Sequence, residues 1–146
     1  MNKLILLANF AATLYMTGVI WLIQLVQYPF FSKIGTREFN DYHAAHSIWI
    51  TPVVAPLMIV ELATSFFIIF YPPSEVDAKL LYIGLVLTLI IWASTFFLQV
   101  PMHEKLSQGS EIDAHAFLVN SNWIRTIAWS LRSILVGWIM WKSLRT

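Results

Sequence analysis

Four histidines are the side chains of this sequence best suited to proton transfer or metal chemistry. His43 and His46 are three residues apart, which would place both imidazoles on one face of a helix. His103 and His115 lie farther along the chain. Because neutral imidazole binds transition metals and exchanges protons near neutral pH, His43, His46 and His103 form a candidate metal site, with His46 and His103 as alternative proton carriers. The H-E-x-x-H pattern of zinc enzymes is absent.

Charged residues interrupt two stretches that are otherwise apolar. Glu61 follows Pro52 by nine residues and Arg132 follows Asn122 by ten, so at about 1.5 Å per helical residue both lie about 14–15 Å from the histidine end. An unpaired charge at the middle of a membrane costs at least ~2.5–3.5 kcal/mol. We therefore predict a Glu61–Arg132 ion pair, in which Glu61 is the counter-ion and a candidate catalytic residue.

Amide, hydroxyl and guanidinium groups gather near the same ends of the apolar stretches as the histidines. In the last stretch, Asn122, Arg125 and Arg132 share one helical face. Guanidinium groups would donate hydrogen bonds to an anionic or carbonyl-bearing ligand. The predicted substrate-binding residues are Gln24, Gln27, Tyr28, Gln99, Asn122, Arg125 and Arg132.

Four apolar stretches would carry these side chains, and each is long enough to cross a bilayer core of about 30 Å as a helix. They run from about Leu4 to Gln27, from Pro52 to Phe70, from Leu80 to Val100 and from about Asn122 to Trp141. Four crossings place both termini on one side and all the histidines on the other. The polar groups would then form a pocket at one end of a helical bundle.

Prolines and polar residues predict where these helices begin and end. Tyr28-Pro29 should end the first helix, and Thr51-Pro52 should begin the second, which stops at Tyr71-Pro72-Pro73. Residues 37–47 predict a short interfacial helix between the first two, and Ser110-Glu111-Ile112-Asp113 resembles a capping box before the fourth. The predicted fold is all-α: a single domain, residues 1–146, that forms an integral membrane four-helix bundle with one short interfacial helix.

Composition supports a membrane protein and excludes several other classes. Apolar residues make up 58% of the 146 residues and charged residues 12%, against roughly a quarter charged in soluble domains. The net charge of +1 argues against nucleic-acid binding, which needs a basic face. Because the chain has no cysteine, disulfides, thiolate metal sites and cysteine nucleophiles are excluded.

Three short segments carry a family resemblance: Trp21-x-x-Gln24-x-x-Gln27-Tyr28-Pro29, Gln99-Val100-Pro101-Met102-His103-x-x-Leu106 and Asn122-Trp123-Ile124-Arg125-Thr126. Together they resemble a family of small bacterial four-helix membrane proteins of unknown function. The Pro101-x-His103-x-x-Leu106 segment is also similar to the Pro-x-Asn-x-x-Leu segment of the anthrone oxygenase-like family, with His103 in place of the asparagine. This resemblance implies oxygenation of a hydrophobic aromatic compound without an obvious cofactor motif.

These features predict a membrane-embedded protein that binds a small lipophilic substrate in a one-sided pocket of His, Arg and Glu side chains. The resemblance implies that an oxygenase-like oxidoreductase would act on this substrate. Two alternatives stay open: a transporter of protons or small solutes, and a non-enzymatic subunit of a homo-oligomer or a larger membrane assembly. The cofactor is unidentified, with a histidine-ligated transition metal as the candidate. Lys and Arg placement favours both termini in the cytoplasm, and the resemblance implies a bacterial inner membrane.

Overall fold

The computed structural model describes residues 2–74, 76–109 and 112–145, which form four helices and no strand. Helix α1 comprises Asn2–Leu22, a π-helical turn at Ile23–Gln27 and a last turn at Tyr28–Phe31. Helix α2 is Phe39–Phe70. Helix α3 comprises Ala78–Ser94, a π-helical turn at Thr95–Gln99 and Val100–Ser107. Helix α4 is Ile112–Leu144, and the all-α prediction is confirmed.

The helices form a bundle in which α1 and α3 each pack against both α2 and α4. The larger core cluster lies toward the histidines and includes Met16, Ile91, Leu118 and Trp129. A smaller cluster around Leu6 and Ile139 lies toward the chain termini. The polar residues described below are enclosed by these apolar layers.

Three helices in the described part of the chain, α1, α2 and α3, are long and apolar enough to cross a membrane. The fourth predicted span, residues 122–141, lies within α4 but is not among them. The reason is its polar face: Asn122, Arg125 and Arg132 are all buried in the bundle and lower the hydropathy of the helix. On its other face, Leu131 and Ile134 are exposed.

Helix α2 passes through both of its prolines, so the predicted helix start at Pro52 is wrong. The short helix predicted over residues 37–47 is not a separate element either, because residues 39–47 form the first turns of α2. An interior proline removes one backbone hydrogen bond and crowds the preceding turn. Packing offsets this cost, since Phe39 and His43 before the prolines and Met58 after them are all buried in the bundle.

Helices α1 and α3 also continue past their predicted ends, and they do so in the same way. A π-helical turn directly precedes Tyr28-Pro29 in α1 and Val100-Pro101 in α3. The wider turn relieves the clash between a proline ring and the carbonyl of the preceding turn. As a result α1 extends to Phe31 and α3 to Ser107, and both extensions carry side chains of the candidate site.

The turn between α2 and α3 follows the sequence prediction. Helix α2 ends at Phe70, directly before Tyr71-Pro72-Pro73. The Asp77 side chain accepts a hydrogen bond from the Lys79 backbone N–H at 2.9 Å and so caps α3. The capping box predicted before α4 falls on Ser110 and Glu111, which lie outside the described residues.

Candidate functional site

The predicted site residues fall into two hydrogen-bonded groups. The first, the ion-pair centre, is built around Glu61 of α2 and Arg132 of α4. The second, the histidine centre, comprises Tyr28, His43, His46, His103 and Arg125 with their amide neighbours. The two groups differ in the volume of the cavity that lies beside each of them.

In the ion-pair centre, Arg132 Nε lies 2.8 Å from Glu61 Oε1, with the two side chains 1% and 0% exposed. The predicted ion pair is confirmed. Thr13 donates to Glu61 Oε1 at 2.7 Å, and Trp129 Nε1 donates to Oε2 at 3.0 Å. Both carboxylate oxygens are therefore satisfied inside the protein.

Three of the four remaining N–H donors of Arg132 are also used within the bundle. Nη2 donates to Asn9 Oδ1 at 3.2 Å and to Ser65 Oγ at 2.6 Å, and Nη1 donates to the Gly84 carbonyl. The cavity beside Arg132 measures about 20 Å³, room for about one water molecule. The structure thus places Glu61 and Arg132 in a closed network with no room for a substrate.

The histidine centre contains a row of hydrogen bonds that joins all four helices. Arg125 Nη2 donates to the Tyr28 hydroxyl at 3.3 Å, and this hydroxyl lies 2.9 Å from His103 Nε2. His103 Nδ1 in turn lies 3.0 Å from His43 Nε2. The Nδ1 atom of His43 is buried and has no hydrogen-bond partner among the described residues.

His46 belongs to the same cluster but uses a different neighbour. Its ring stacks on His103 with the ring centroids 5.8 Å apart. Its Nδ1 lies 3.2 Å from Gln27 Nε2, which also donates to the Tyr42 hydroxyl at 2.9 Å. Gln27 therefore orients His46.

The three clustered histidines do not form the predicted metal site. Among residues 2–74, 76–109 and 112–145, no group of three His, Asp or Glu side chains is arranged to hold a metal ion. Both ring nitrogens of His103 face other protein groups, the Tyr28 hydroxyl and His43. The imidazoles bond to their neighbours instead of converging on one point.

Arg125 is a buried cation, 6% exposed. Its Nε and Nη2 both donate to Asn122 Oδ1, at 2.9 and 2.6 Å, and Nη1 donates to Thr95 Oγ1 at 3.3 Å. Gln24 holds Asn122 in turn, because its Oε1 accepts from Asn122 Nδ2 at 2.8 Å. In the described part of the chain, no carboxylate lies within ion-pair distance of Arg125.

A cavity of about 350 Å³ opens beside this cluster, and we call it the α2–α3 cavity. Its polar end is formed by Tyr28, His46, Gln99, His103 and Arg125. Its apolar walls include Ile50, Val54, Met58, Trp92 and Phe96. This cavity would therefore accept a mostly apolar ligand with one polar end.

Trp92, which lines the α2–α3 cavity, carries a hydrogen-bond donor without a partner in the described part of the chain. Its Nε1 is buried and has no hydrogen-bond partner among the described residues. A buried N–H without an acceptor costs about 1–3 kcal/mol. An acceptor on a ligand would remove this cost.

The structure brings only part of the predicted set to the α2–α3 cavity. Tyr28, Gln99 and Arg125 of the predicted substrate-binding residues line it, as do the predicted catalytic residues His46 and His103. The other predicted residues lie outside its lining: Gln24 and Asn122 support Arg125, Gln27 orients His46, and Glu61 and Arg132 form the ion-pair centre.

Trp92 and Thr95 are cavity residues that were not among the predicted ligand-binding residues. Trp92 and Thr95 line the α2–α3 cavity with Gln99 and His103. These four positions are spaced by three or four along the chain, so they share one helical face. That spacing is the signal by which the sequence could have identified them.

Comparison of the chain with protein-family models, with curated proteins and with solved structures finds no match. The resemblance to small bacterial membrane proteins and to the anthrone oxygenase-like family stays a prediction.

Proposed function

We propose that this protein is a membrane-embedded four-helix bundle that binds a small lipophilic molecule with an acidic or carbonyl oxygen. The ligand would occupy the α2–α3 cavity. The observation that carries the proposal is the buried Arg125 guanidinium at the polar end of that cavity, with no carboxylate partner in the described residues. Burial of a charge is costly unless an opposite charge and hydrogen bonds compensate it, and a ligand oxygen would supply both.

Hydrogen-bond accounting at Arg125 supports this assignment. A guanidinium has five N–H donors, and the contacts to Asn122, Thr95 and Tyr28 use four of them. One N–H on Nη1 is left for a ligand. Trp92, another residue of the cavity lining, also has an N–H donor without a partner among the described residues. Two donors at different points would fix the orientation of a flat ligand.

The size and walls of the cavity indicate the rest of the ligand. Its volume of about 350 Å³ falls near the lower end of the range for small-molecule sites, about 300–1,000 Å³. Aromatic and aliphatic side chains form most of its lining. The proposed ligand is therefore a small, mostly apolar compound. Its oxidation, implied by the family resemblance, stays a prediction.

The membrane setting is supported by the outer surface as well as by helix length. Large apolar side chains such as Phe70, Phe97 and Ile134 are exposed on the bundle. With 32 residues, α2 is about 48 Å long, more than the bilayer core of about 30 Å. We place the first turns of α2 and the histidine centre at the membrane interface, with α4 as a fourth crossing because its polar face is enclosed by the other helices.

Ligand binding can be tested by isothermal titration calorimetry of the detergent-purified protein with para-nitrophenol, a small aromatic acid. We expect Arg125→Gln to weaken binding about 10- to 100-fold, because a charge-assisted hydrogen bond contributes about 1.5–3 kcal/mol. Arg37→Gln makes the same change at an exposed arginine and should have no effect. Helicity and elution volume of each variant report whether it has folded.

A second pair of variants tests the unused indole donor. Trp92→Phe removes an N–H that has no partner among the described residues, and we expect it to weaken binding severalfold. Trp49→Phe, at a tryptophan that is 73% exposed, is the matched control. The proposal is wrong if folded wild-type protein does not bind the probe, or if folded Arg125→Gln binds it as tightly as wild type.

The membrane topology can be tested by cysteine labelling, because the chain has no cysteine of its own. Lys33 lies in the connection between α1 and α2, Lys79 lies in the first turn of α3, and both are exposed. If both termini are cytoplasmic in a bacterial inner membrane, an impermeant maleimide should label Lys33→Cys once it has passed the outer membrane. Lys79→Cys should react only after the inner membrane is opened. Equal labelling before opening, or the reverse order, would contradict this topology.

A further inference from the structure

The α2–α3 cavity reaches the outer surface of the bundle through a slot between α2 and α3. Four residues that line the cavity are also exposed on that surface, two from each helix: Thr51, Ile59, Phe96 and Val100. Thr51, Ala55 and Ile59 also line a groove on the outer side of α2. In the proposed membrane setting this slot opens to lipid, because three of its four exposed residues are apolar.

The polarity of the cavity changes along the helix axes. Its lining on α2 includes four residues spaced by four, which share one helical face: His46, Ile50, Val54 and Met58. His46 belongs to the polar end, and Met58 lies twelve residues farther along α2, a rise of about 18 Å at about 1.5 Å per residue. A volume of about 350 Å³ along that lining makes the cavity narrow, so it suits a single chain rather than a bulky ring system.

The direction of this change matches the leaflet of the membrane that surrounds the cavity. The polar end lies with the histidine centre, which we place at the membrane interface. The apolar end lies near the middle of the bilayer, because Glu61, at about half the depth of the bilayer core, follows Met58 by three residues. A lipid acid in this leaflet has its head at the interface and its chain toward the middle. It would therefore enter the slot sideways, and its charged head would not have to cross the apolar core, a costly step.

We propose that the α2–α3 cavity binds a single-chain carboxylic acid from the surrounding leaflet, an inference that rests on the proposed function and specifies its ligand. The carboxylate would accept from the N–H of Arg125 Nη1 that no described residue accepts. It would also supply the opposite charge that Arg125 lacks among the described residues. The chain would lie along the slot past Val54 toward Met58. Carbons beyond the cavity would lie against Ile59 and Phe96, in contact with lipid.

The first measurement asks whether an acid of this class occupies the same site as para-nitrophenol. In isothermal titration calorimetry of the detergent-purified protein, saturating palmitic acid should abolish the binding of para-nitrophenol. Methyl palmitate has the same chain without the charge and should leave this binding unchanged. Arg125→Gln should weaken the binding of palmitic acid itself about 10- to 100-fold, as expected for loss of a charge-assisted hydrogen bond, whereas Arg37→Gln should not change it.

The second measurement locates the chain in lipid vesicles that contain the folded protein. Palmitic acid with a photoreactive diazirine next to the carboxyl group should label residues at the polar end of the slot, such as Val100. With the diazirine in the middle of the chain, it should label residues toward Met58, such as Ile59 and Phe96. An excess of unlabelled palmitic acid should remove the label from these residues. It should leave the general labelling of lipid-facing residues such as Ile134, which is 73% exposed.

Ile59→Trp tests the slot without altering the polar end. Ile59 is 57% exposed at the edge of the slot, so a larger side chain there narrows the slot and does not disturb the core. We expect labelling at Phe96 by the mid-chain probe to fall severalfold. Ile134→Trp makes the same change at an exposed residue outside the cavity lining and should have no effect.

The possible results separate this inference from the proposed function. If para-nitrophenol binds but palmitic acid does not displace it, or methyl palmitate displaces it equally well, the inference is wrong and the ligand site stands. The inference is also wrong if the two diazirine positions label the same residues, or if unlabelled palmitic acid does not compete for them. If the folded wild type does not bind para-nitrophenol, both proposals fail.

Discussion

Replacing Glu61 with glutamine should destabilise the protein more than replacing Glu61 with glutamine and Arg132 with leucine together. The single change leaves the Arg132 cation, which is 1% exposed, without an opposite charge. The double change removes both charges from the interior. The comparison therefore separates the cost of an unpaired charge from the cost of losing hydrogen bonds.

The contacts of the ion-pair centre set the expected magnitudes. Loss of one partner of a buried ion pair costs about 3–5 kcal/mol, and glutamine can still accept from Thr13, so we expect about 3 kcal/mol for Glu61→Gln. In the double variant Ser65, Asn9 and the Gly84 carbonyl each lose a donor, at about 1 kcal/mol per hydrogen bond. The Gly84 carbonyl still accepts from the Thr88 hydroxyl at 3.0 Å. Asn9 keeps its bond to Thr64 at 2.8 Å. We therefore expect a loss of about 1–2 kcal/mol for the double variant.

The free energy of unfolding can be measured by titrating detergent-solubilised protein with sodium dodecyl sulfate and following helical circular dichroism. Glu104→Gln makes the same change at an exposed carboxylate and should leave the transition where it is. A double variant that loses as much stability as Glu61→Gln, or more, would refute the argument that charge pairing is what holds these residues in the interior.

Three further substitutions test local packing by the same unfolding measurement. Gly84→Ala should destabilise by about 1 kcal/mol or more, since its Cβ would lie 3.2 Å from Arg132 Nη1; an unchanged transition would contradict this contact. Gly18→Ala should stabilise by about 0.5–1 kcal/mol, because nothing lies within 4 Å of its Cβ and alanine favours a helix; a loss of stability would contradict it. His115→Leu should cost about 1–3 kcal/mol, because it removes the ring nitrogen that lies 2.7 Å from the Tyr28 carbonyl, and no loss would show that this bond is dispensable.

The ion pair shows how far sequence reasoning can reach. Glu61 and Arg132 could be matched in depth because a helix rises by a constant amount per residue, and a charge in an apolar segment needs a partner. The Glu61–Arg132 contact confirms this argument. Matching the two residues in depth could not show whether the pair contacts a ligand. The other groups that bond to Glu61 and Arg132 come from distant parts of the chain.

The helix ends show where local signals fail. Pro29 predicts a helix end and Pro52 a helix start, yet α1 continues past Pro29 and α2 begins well before Pro52. Helix α3 likewise continues past Pro101. Two π-helical turns and the burial of residues on both sides of Pro52 compensate for the local cost. Such compensation depends on neighbouring helices and is not encoded in the proline itself.

The sequence by itself determines an all-α chain, apolar segments of membrane length and the pairing of two charges at equal depth. All three follow from composition and regular helical spacing. What only the tertiary structure decides is which polar groups satisfy one another and which are left over. Gln24, Asn122 and Arg132 looked equally suited to a ligand in the sequence, but the packed helices use them internally. Arg125 and Trp92 keep unused donors beside a cavity, because hydrogen-bond satisfaction is a property of three-dimensional neighbours.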